Sequence, residues 1–403
     1  MRIAEVSIAA AIAALTIAAA PTGAAYADDK GVVPVVRWNS VTYKVDNAEA
    51  AAKWQASPLF GKTLVQGLKF DSTGTMYVTT ARWGGSDMPA TVSKLLKRGD
   101  SYELEAFPSE ELNAVSNEAG LKAVLGFEVD ENDVMWMLDQ GHIAGAPSGP
   151  KDEKLVLWDI KANKEVQRLE FGPEVSDKKC SFLNDVVVDN ESGFAYISDS
   201  GIFADPLCGG LIVYDKKANT ARRVLNASKF TNDEAQFSFA INGRQVLKNG
   251  RMRTGADGIA LSGDRKTLYW TNLTGNTLYS LPTALLRDVS VSESELQAAV
   301  RVEVVLPSNT DGLTADKAGN IYLTALQLNG VLKYDTNTRR LSQVAYHPEM
   351  VWPDTLAWAP DGNLHVISNH LHVWVDGDMN FKDPEVPNFT IWRLPVKAEP
   401  YLN

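Results

Sequence analysis

The sequence is poor in the residues and motifs on which several classes of protein depend. Its 403 residues include two cysteines and five histidines, and no Cys-x-x-Cys pair, so neither a zinc knuckle nor a thioredoxin-like redox site is supported. HExxH, GxSxG, P-loop and GxGxxG motifs are also missing, which leaves zinc-protease, α/β-hydrolase and nucleotide-binding functions without support. Acidic residues outnumber basic ones by 50 to 39, and the net charge is −11. Because a phosphate-binding surface needs clustered Lys and Arg, this balance argues against a nucleic-acid partner.

No stretch is apolar for long enough to cross a bilayer as a helix, which takes about 20 residues. The N-terminal apolar run, residues 8–20, is shorter than this; it follows Arg2 and precedes a small-x-small cleavage pattern that ends at Ala27. We therefore predict that residues 1–27 are a signal peptide and that the mature chain, 28–403, is secreted or periplasmic and has no membrane span. The alternative is an uncleaved membrane anchor.

The two cysteines, Cys180 and Cys208, are predicted to form a disulfide. An exported chain matures in an oxidising compartment, where such bonds persist. Closing this loop would contribute about 3 kcal/mol in the chain-entropy model. The alternative is a pair of free, buried thiols.

One pattern occurs six times along the mature chain. Each copy is a short apolar strand, a polar turn with Asp, and a second strand rich in Tyr, Trp, Val and Ile, which together predict a β-hairpin. The copies are QGLKFDSTGTMYVTT from Gln66, LGFEVDENDVMWMLD from Leu125, LNDVVVDNESGFAYISDS from Leu183, ADGIALSGDRKTLYWTN from Ala256, TDGLTADKAGNIYLTAL from Thr310 and PDTLAWAPDGNLHVISN from Pro353. Two further strands follow each hairpin, as in GGLIVYDKKANTARRVL. Because no unit can bury its own apolar face, we predict one all-β domain over 28–403, a six-bladed β-propeller with four-stranded antiparallel blades.

The segments between the repeats predict how the ring is completed. Residues 35–45, VVRWNSVTYKV, precede the first hairpin without a partner of their own. We predict that this N-terminal segment supplies the outer strand of the last blade, which closes the ring and removes an exposed edge. Residues 110–114 and 292–299 are expected to be short helices, and the polar segment 227–255 is expected to arch over one face.

In a propeller the innermost strands line a central channel and begin at the same face, so the residues that open them converge. These residues are Gln66, Gly126, Asn184, Asp257, Asp311 and Asp354. Carboxylates at close range repel each other unless they are protonated or neutralised, and their oxygens suit a hard divalent cation, of which Ca²⁺ is the most tolerant. Two alternatives stay open: these side chains cap turns, or they bind water or a ligand.

By the same geometry, the loops that follow the first two hairpins lie at this channel mouth. They read ARWGGSDMPA and DQGHIAGAPSGP, and their candidate pocket residues are Arg82, Trp83, Asp139 and His142. Loops on a rigid scaffold often carry binding groups. For each of these residues the alternative is a solvated loop side chain. The predicted disulfide would stiffen a third loop, DSGIFADPLC, beside the same mouth.

Several stretches resemble a known family. They are ARWGGSDMPATVSKL, MWMLDQG, SFLNDVVVD with AYISDSG, GLIVYD, ADGIALSGDRKTLYWTNLTGNTLYSLPTALLRD, TDGLTADKAGNIYLTA and WPDTLAWAPDGNL with SNHLH. On these residues the chain, from Trp38 to about Leu394, is similar to the yellow / major royal jelly protein family and in particular to its bacterial members. The resemblance implies a six-bladed propeller. For function it implies dopachrome conversion, binding of biogenic amines, or a nutritional or structural role.

A more distant resemblance, to the gluconolactonase and regucalcin propellers, implies a divalent metal in the channel. Those proteins hold the metal with a Glu in the first blade, an Asn before a Gly and an Asp before a Gly. The matching positions here are Gln66, Asp257 and Asp311, and Asn184 matches an Asn that touches substrate or completes the site. Gln66 replaces the Glu and Asp257 replaces the Asn, so the total charge of the three positions is unchanged but one negative charge lies in a different blade.

The leading hypothesis is an exported enzyme that acts on a small cyclic or aromatic metabolite at the channel mouth. Its reaction would be tautomerisation, as in dopachrome conversion, or lactone hydrolysis. A cation held by Asn184, Asp257 and Asp311 would polarise a carbonyl or activate water. Asp354 would act as general base, and Arg82 would orient an anionic group.

The rival hypothesis is a binding protein without turnover. Its acidic residues would attract an amine, and Trp83 would stack on the ring of the ligand. The residues expected to contact the ligand in either case are Gln66, Trp83, Asp139 and His142. A third possibility is a scaffold whose channel mouth is incidental. We expect a small-molecule partner and a monomeric protein.

Overall fold

Six four-stranded antiparallel units build the fold, as the repeats predict. The protein is described by a computed structural model that covers residues 31–99, 101–234, 237–247 and 252–402, so the predicted signal peptide, 1–27, lies outside the described residues. The inner strands of the units contact one another in a closed circle, from the first unit to the sixth and back to the first. The predicted fold, an all-β six-bladed propeller, is therefore confirmed.

The first three blades follow the chain from the channel outwards. Blade 1 contains β3 (Leu68–Phe70), β4 (Met76–Thr79), β5 (Val92–Arg98) and β6 (Ser101–Ala106). Blade 2 contains β7 (Val124–Val129), β8 (Val134–Asp139), β9 (Lys154–Asp159) and β10 (Lys164–Glu170). Blade 3 contains β11 (Leu183–Asp189), β12 (Phe194–Asp199), β13 (Gly210–Asp215) and β14 (Thr220–Val224).

The last three blades repeat this order, except that the outermost strand of blade 6 comes from the N-terminus. Blade 4 contains β17 (Ala256–Leu261), β18 (Thr267–Asn272), β19 (Thr277–Pro282) and β20 (Arg301–Val305). Blade 5 contains β21 (Leu313–Ala315), β22 (Asn320–Ala325), β23 (Gly330–Asp335) and β24 (Arg340–Tyr346). Blade 6 contains β25 (Pro353–Trp358), β26 (Asn363–Ser368), β27 (Phe389–Lys397) and β1 (Val33–Trp38).

The N-terminal segment closes the ring, as predicted, and also joins the next blade. β1 pairs with β27 in antiparallel register, with Trp38 opposite Phe389, so the edge of blade 6 is covered. The second half of the predicted strand behaves differently. β2 (Tyr43–Lys44) pairs in parallel with β6 and adds a fifth strand to blade 1. One short segment therefore ties the first blade to the last.

Helices are few and short. The two predicted ones are present as α2 (Glu110–Asn113) and α4 (Glu293–Ala299), and α4 begins with a capping box between Ser292 and Glu295. The sequence pattern did not predict three further helices and a 3₁₀ turn: α1 (Ala48–Ala56), α3 (Thr283–Arg287), α5 (Leu371–Val375) and Leu326–Leu328. No helix among the described residues is long and apolar enough to cross a membrane.

The core lies between neighbouring blades and also beneath the long insertion of residues 227–255. Trp136 of blade 2, for example, packs edge-on against Tyr214 of blade 3, with ring centroids 6.1 Å apart. The insertion forms a small hairpin of β15 (Ala240–Ile241) and β16 (Arg244–Gln245). Its Phe239 is buried in a cluster with residues of blades 1 and 6, which anchors the insertion over one face of the ring.

Candidate ligand site at the channel mouth

A cavity of about 750 Å³ opens at the face where the inner strands begin. Five of the six residues predicted to converge there lie on its floor: Gln66, Asn184, Asp257, Asp311 and Asp354. The sixth, Gly126, lines a smaller cavity of about 20 Å³ that shares Asn184 and the three aspartates with the larger one. The channel therefore brings together residues that are up to 288 positions apart, from Gln66 to Asp354.

Irregular backbone turns these side chains into the channel. The strand register shifts near the start of four inner strands, within residues 124–127, 183–186, 256–259 and 353–356. A β-bulge of this kind re-aims a side chain and is common beside functional sites. The shifts coincide with Asn184, Asp257 and Asp354, which explains how the second residue of each strand comes to face the cavity.

The glycines after Asp257 and Asp311 allow neighbouring inner strands to approach closely. A Cβ atom at Gly258 would overlap the carbonyl oxygen of Asp311, and one at Gly312 would overlap that of Asp354. The Asp-Gly sequence is thus required by contact between blades at the channel. It does not mark a turn that the aspartate caps, which was one of the alternatives left open by the sequence.

The floor aspartates accept hydrogen bonds from neutral side chains. Trp352 Nε1 donates to Asp311 Oδ2 over 2.6 Å. The corresponding donors for the other two carboxylates are Asn184 Nδ2, 2.7 Å from Asp257 Oδ2, and Asn369 Nδ2, 2.6 Å from Asp354 Oδ2. Neutral donors satisfy part of the hydrogen-bonding capacity of a carboxylate but leave its charge uncompensated.

Burial changes the acidity of this cluster. Burial, together with the neighbouring carboxyl groups of Asp311 and Asp354, raises the pKa of Asp257 well above its usual range. Burial likewise raises the pKa of Asp354 strongly. Burial raises the pKa of Asp311 only to about 6, because hydrogen bonds from Trp352 and Asp257 favour its charged form. The aspartates therefore differ, and Asp311 is the one that ionises most readily.

The predicted metal site is not formed by these residues. In the parts of the chain that the structure describes, no three His, Cys, Asp or Glu side chains are grouped so as to hold a metal ion. Asn184, Asp257 and Asp311 were the predicted ligands of a divalent cation, Ca²⁺ foremost. The amide nitrogen of Asn184 points at Asp257, and the Trp352 indole occupies Oδ2 of Asp311, so their oxygens do not share one free centre.

Aromatic and aliphatic side chains from several loops form the cavity wall. Trp83, one of the predicted ligand-binding residues, lies on this wall, and its ring is 5.7 Å from that of Phe182 and 6.2 Å from that of Trp374. Its indole Nε1 donates to Gln140 Oε1 over 3.3 Å. Phe203 extends the group at the rim, 5.8 Å from Phe182 and 45% exposed. The cavity thus combines an acidic floor with flat apolar walls.

Arg82 does not reach the cavity, which corrects its predicted role in orienting an anionic group. Its side chain is fully buried behind the wall. The guanidinium donates to the backbone carbonyls of Met88, Asn113, Leu121 and Lys122. All of its hydrogen-bonding capacity is used to hold loops of blades 1 and 2 together, so Arg82 has a structural position.

Asp139 is also buried outside the cavity, contrary to its prediction as a ligand contact. One of its oxygens lies 2.9 Å from Lys154 Nζ in an ion pair whose two side chains are fully buried. Asp139 also accepts from the backbone N–H groups of Lys122, Ala123 and Gly141. These bonds fix the start of the loop that carries His142.

His142 lines the cavity through its ring. Both ring nitrogens face protein groups: Nδ1 is 3.2 Å from Ser148 Oγ, and Nε2 is 3.4 Å from the buried Glu153 carboxylate. The ring packs on Phe203 with centroids 4.5 Å apart. His142 therefore presents the face of its ring to the cavity, while its two nitrogens contact protein groups that position the loop.

The disulfide between Cys180 and Cys208 is present, with Cα atoms 6.0 Å apart. It tethers the loop of residues 201–208, from which Ile202, Phe203 and Asp205 line the cavity. A cross-link at this place stabilises one wall of the site. The prediction is confirmed.

Sequence reasoning missed several residues of the site. Phe182 and Trp352 each stand two positions before a residue of the cavity floor, Asn184 and Asp354, so the repeat alignment carried a signal for both. Trp374 lies on α5, which the strand pattern gave no reason to expect. Arg253 lies in the insertion and was not assigned a position; it lines the mouth and pairs with Asp205 and Asp233.

A family model described as "Major royal jelly protein" matches residues 122–400. The chain belongs to the major royal jelly protein family. Similar royal jelly relatives come from Apis mellifera. "Major royal jelly protein 9" is 22% identical over 316 residues, which cover 73% of this chain and 70% of that protein. "Major royal jelly protein 1" is 21% identical, over 80% of this chain and 77% of that protein.

Solved structures with a similar fold include two propellers that bear other names. A calcium-binding protein, regucalcin, from Agrobacterium tumefaciens has a TM-score of 0.50 at 15% identity, covering 85% of this royal jelly family chain and 94% of that chain. A luciferin-regenerating enzyme has a TM-score of 0.50 at 15% identity and covers 92% of this chain and 99% of that one. At this identity the likeness supports the fold alone.

Proposed function

We propose that the channel-mouth cavity binds a small cyclic or aromatic molecule and that the floor aspartates transfer protons to and from it. The observation that carries the proposal is the set of three carboxyl groups at the floor of one cavity, of which Asp257 is buried and Asp311 and Asp354 are half-buried. A volume of about 750 Å³ falls in the range of small-molecule sites. The flat rings of the wall suit a flat ligand.

The chemistry that these residues support best is tautomerisation. Asp311, with a pKa of about 6, is the carboxylate suited to take a proton from the carbon or hydroxyl group of the ligand. Asp257 and Asp354, whose pKa values burial raises, are suited to deliver a proton to a carbonyl oxygen, so Asp354 takes the role of acid in place of the general base expected from the sequence. One proton leaves the ligand and one enters it, so no other reactant is needed. Lactone hydrolysis would use the same groups on a bound water.

The test is turnover by wild-type protein and by Asp311→Asn. Dopachrome and a panel of lactones would be assayed by absorbance and by NMR, since tautomerisation in D₂O also labels the ligand at the exchanged carbon. We expect one substrate class to react and Asp311→Asn to lose at least about 100-fold in rate, as typical for loss of a general base. Asp361→Asn is the matched control, because Asp361 is an exposed aspartate of the blade 6 turn. Absence of turnover in all cases would overturn the catalytic proposal.

A second function, binding of an organic amine without turnover, is favoured by the pairing of acidic floor and aromatic wall. The carboxylates of Asp257 and Asp311 would attract an ammonium group, and Trp83 would stack on a ring. Tyramine carries both groups in a compact form. Calorimetric binding of tyramine that Asp311→Asn weakens, with no conversion of any compound, would favour this function over the enzyme.

We also propose that the protein acts outside the cytoplasm, as a monomer. The disulfide supports an oxidising compartment. N-terminal sequencing of the exported protein should find that it begins at Asp28, and light scattering should give a mass near that of one chain. A protein that retains residues 1–27 at a membrane would favour the anchor instead.

A further inference from the structure

Trp352 lies behind the residues that line the cavity and is bonded directly to one of them, Asp311. Its side chain is fully buried, and its indole Nε1 donates to Asp311 Oδ2 over 2.6 Å. Trp352 itself does not line the cavity. A short hydrogen bond to a carboxylate is stronger than one between neutral groups and is directional. The bond therefore fixes one oxygen of Asp311 and with it the plane of the carboxyl group.

Two other rings stack on the Trp352 indole. Phe239 is stacked on it with centroids 5.6 Å apart and planes at 26°, and His372 is stacked with centroids 5.4 Å apart and planes at 17°. Phe239 belongs to the insertion, and His372 belongs to α5. These two elements also supply cavity wall, through residues 252–254 and through Leu371, Trp374 and Val375. The indole is thus the contact between two wall elements and the floor.

The backbone at Trp352 is held in an unfavourable conformation. Its φ angle is +55°, in the left-handed region that bulky side chains rarely adopt. The backbone N–H of Asn369 donates to the Trp352 carbonyl over 3.2 Å, and the Asn369 side chain donates to Asp354. Strain of this kind persists only where surrounding structure enforces it, and it clusters at functional sites.

We propose that Trp352 is a positioning residue, which orients the Asp311 carboxyl group toward the ligand and makes that orientation depend on the insertion and α5. The inference rests on the proposed function, since it assigns Trp352 a role in the same site. The groups that face Asp311 from the other inner strands are Asp185, Asp257 and Asp354. Asp257 also hydrogen-bonds to Asp311, so the carboxyl group is held both by the indole and by a neighbouring carboxyl group.

The simplest competing explanation is that Trp352 only packs the core. Trp136 provides a matched control, because it is also fully buried and its indole Nε1 donates to an aspartate, Asp130 Oδ2, over 2.9 Å. That bond lies at the opposite end of an inner strand, away from the cavity. Trp136→Phe and Trp352→Phe therefore remove the same kind of bond in two places.

The test is a double-mutant cycle on the affinity for tyramine, measured by calorimetry. We expect Trp352→Phe to weaken binding by about tenfold, the effect of one hydrogen bond to a charged group. In the Asp311→Asn background the same change should have no effect, because the partner through which Trp352 acts is gone. Trp136→Phe should leave the affinity unchanged. An equal loss from Trp352→Phe in both backgrounds, or an equal loss from Trp136→Phe, would overturn the proposal.

A second measurement needs neither ligand nor a variant at Trp352. In the ¹H–¹⁵N NMR spectrum of the free protein, the indole resonance of Trp352 should lie far downfield because of its bond to a carboxyl group. Asp311→Asn should move it upfield by about 1 ppm or more, while the Trp136 resonance stays in place. If tyramine does not bind, the proposed amine-binding function is wrong, and the NMR measurement alone tests the role of Trp352. A Trp352 indole resonance that does not shift in Asp311→Asn would overturn the positioning role.

Discussion

Aspartates lie at both ends of the inner strands, and the two sets are bonded in different ways. At the turn end, Asp130 accepts from the backbone N–H groups of Asn132 and Val134 and from the indole of Trp136. The equivalent residues of blades 1 and 5, Asp71 and Asp316, also accept from backbone N–H groups and from an aromatic side chain six residues later. At the other end, the floor aspartates Asp257, Asp311 and Asp354 accept hydrogen bonds from neutral side chains and face a cavity.

The number and kind of donors therefore separate two roles for one residue type within one repeat. A buried carboxylate with several well-placed donors stabilises a turn. A carboxylate without such donors loses its hydration and gains little in return, so the rest of the fold must offset that cost. Groups of this kind are common at functional sites. The two ends also differ in how charge is compensated. At the turn end, Lys69 and Glu128 form an ion pair over 2.8 Å, and their side chains are only 10% and 9% exposed.

The largest effect is expected from breaking that ion pair. Lys69→Met would leave the Glu128 carboxylate buried without its partner, and we expect the free energy of unfolding to fall by about 3–5 kcal/mol. Urea denaturation measures it. The control is Lys317→Met, because Lys317 pairs with Glu399 over 2.5 Å and the two side chains are 37% and 65% exposed. There the loss should stay below about 1 kcal/mol. Similar losses for both variants would contradict the contrast between buried and exposed pairs.

A smaller loss is expected from removing a turn aspartate. Asp130→Ala would leave two backbone N–H groups and the Trp136 indole without their acceptor, and we expect a loss of about 2–3 kcal/mol. Asp361→Ala, at the exposed turn of blade 6, should lose less because water replaces its bonds. Thermal unfolding of the two variants, with tyramine binding as a second measurement, checks this. Weakened ligand binding in Asp130→Ala would show that the two ends are not separate.

The fold followed from the sequence because its determinants are local and repeated. Strand alternation and turn residues recur in each unit, an Asp before a Gly occurs at Asp257 and Asp311 in blades 4 and 5, and ring closure converts these positions into one site. The convergence of Gln66 with Asp354 needed no side-chain detail. The short helices after Ser109 and Ser292 also carried local capping signals.

The roles of individual loop residues did not follow, because burial depends on distant segments. Arg82 and Trp83 are adjacent in the sequence, yet Arg82 is buried among carbonyls of three other segments and Trp83 faces the cavity. The parts of the cavity wall that come from α5 and the insertion are positioned by packing against Trp352. No local sequence pattern encodes this packing. The described residues do not group the predicted metal ligands around one centre, because spacing fixes which oxygens converge but not what they bond.

The smallest predicted change in stability concerns the floor aspartates, and it is a gain where the others are losses. The pKa of Asp257 is raised in the folded protein, whereas in the unfolded chain it is near 3.9. Between these values the unfolded state binds fewer protons, so the stability of the folded state falls as the pH rises. Asp257→Asn removes this dependence. It should raise the unfolding free energy by about 1–2 kcal/mol at pH 7, a gain typical of functional sites, and weaken tyramine binding.

The gain should shrink as the pH approaches 4, where Asp257 is protonated in the folded state and increasingly so in the unfolded one. Unfolding midpoints at pH 4 and pH 7, for wild type and variant in the absence of ligand, measure the difference. Asp130→Asn is the control, because its carboxylate is bonded by several donors, and it should destabilise the protein at pH 7. A mouth variant that is also less stable than wild type at pH 7 would mean that Asp257 is bonded as the turn aspartates are, and the division between the two ends of the strands would not hold.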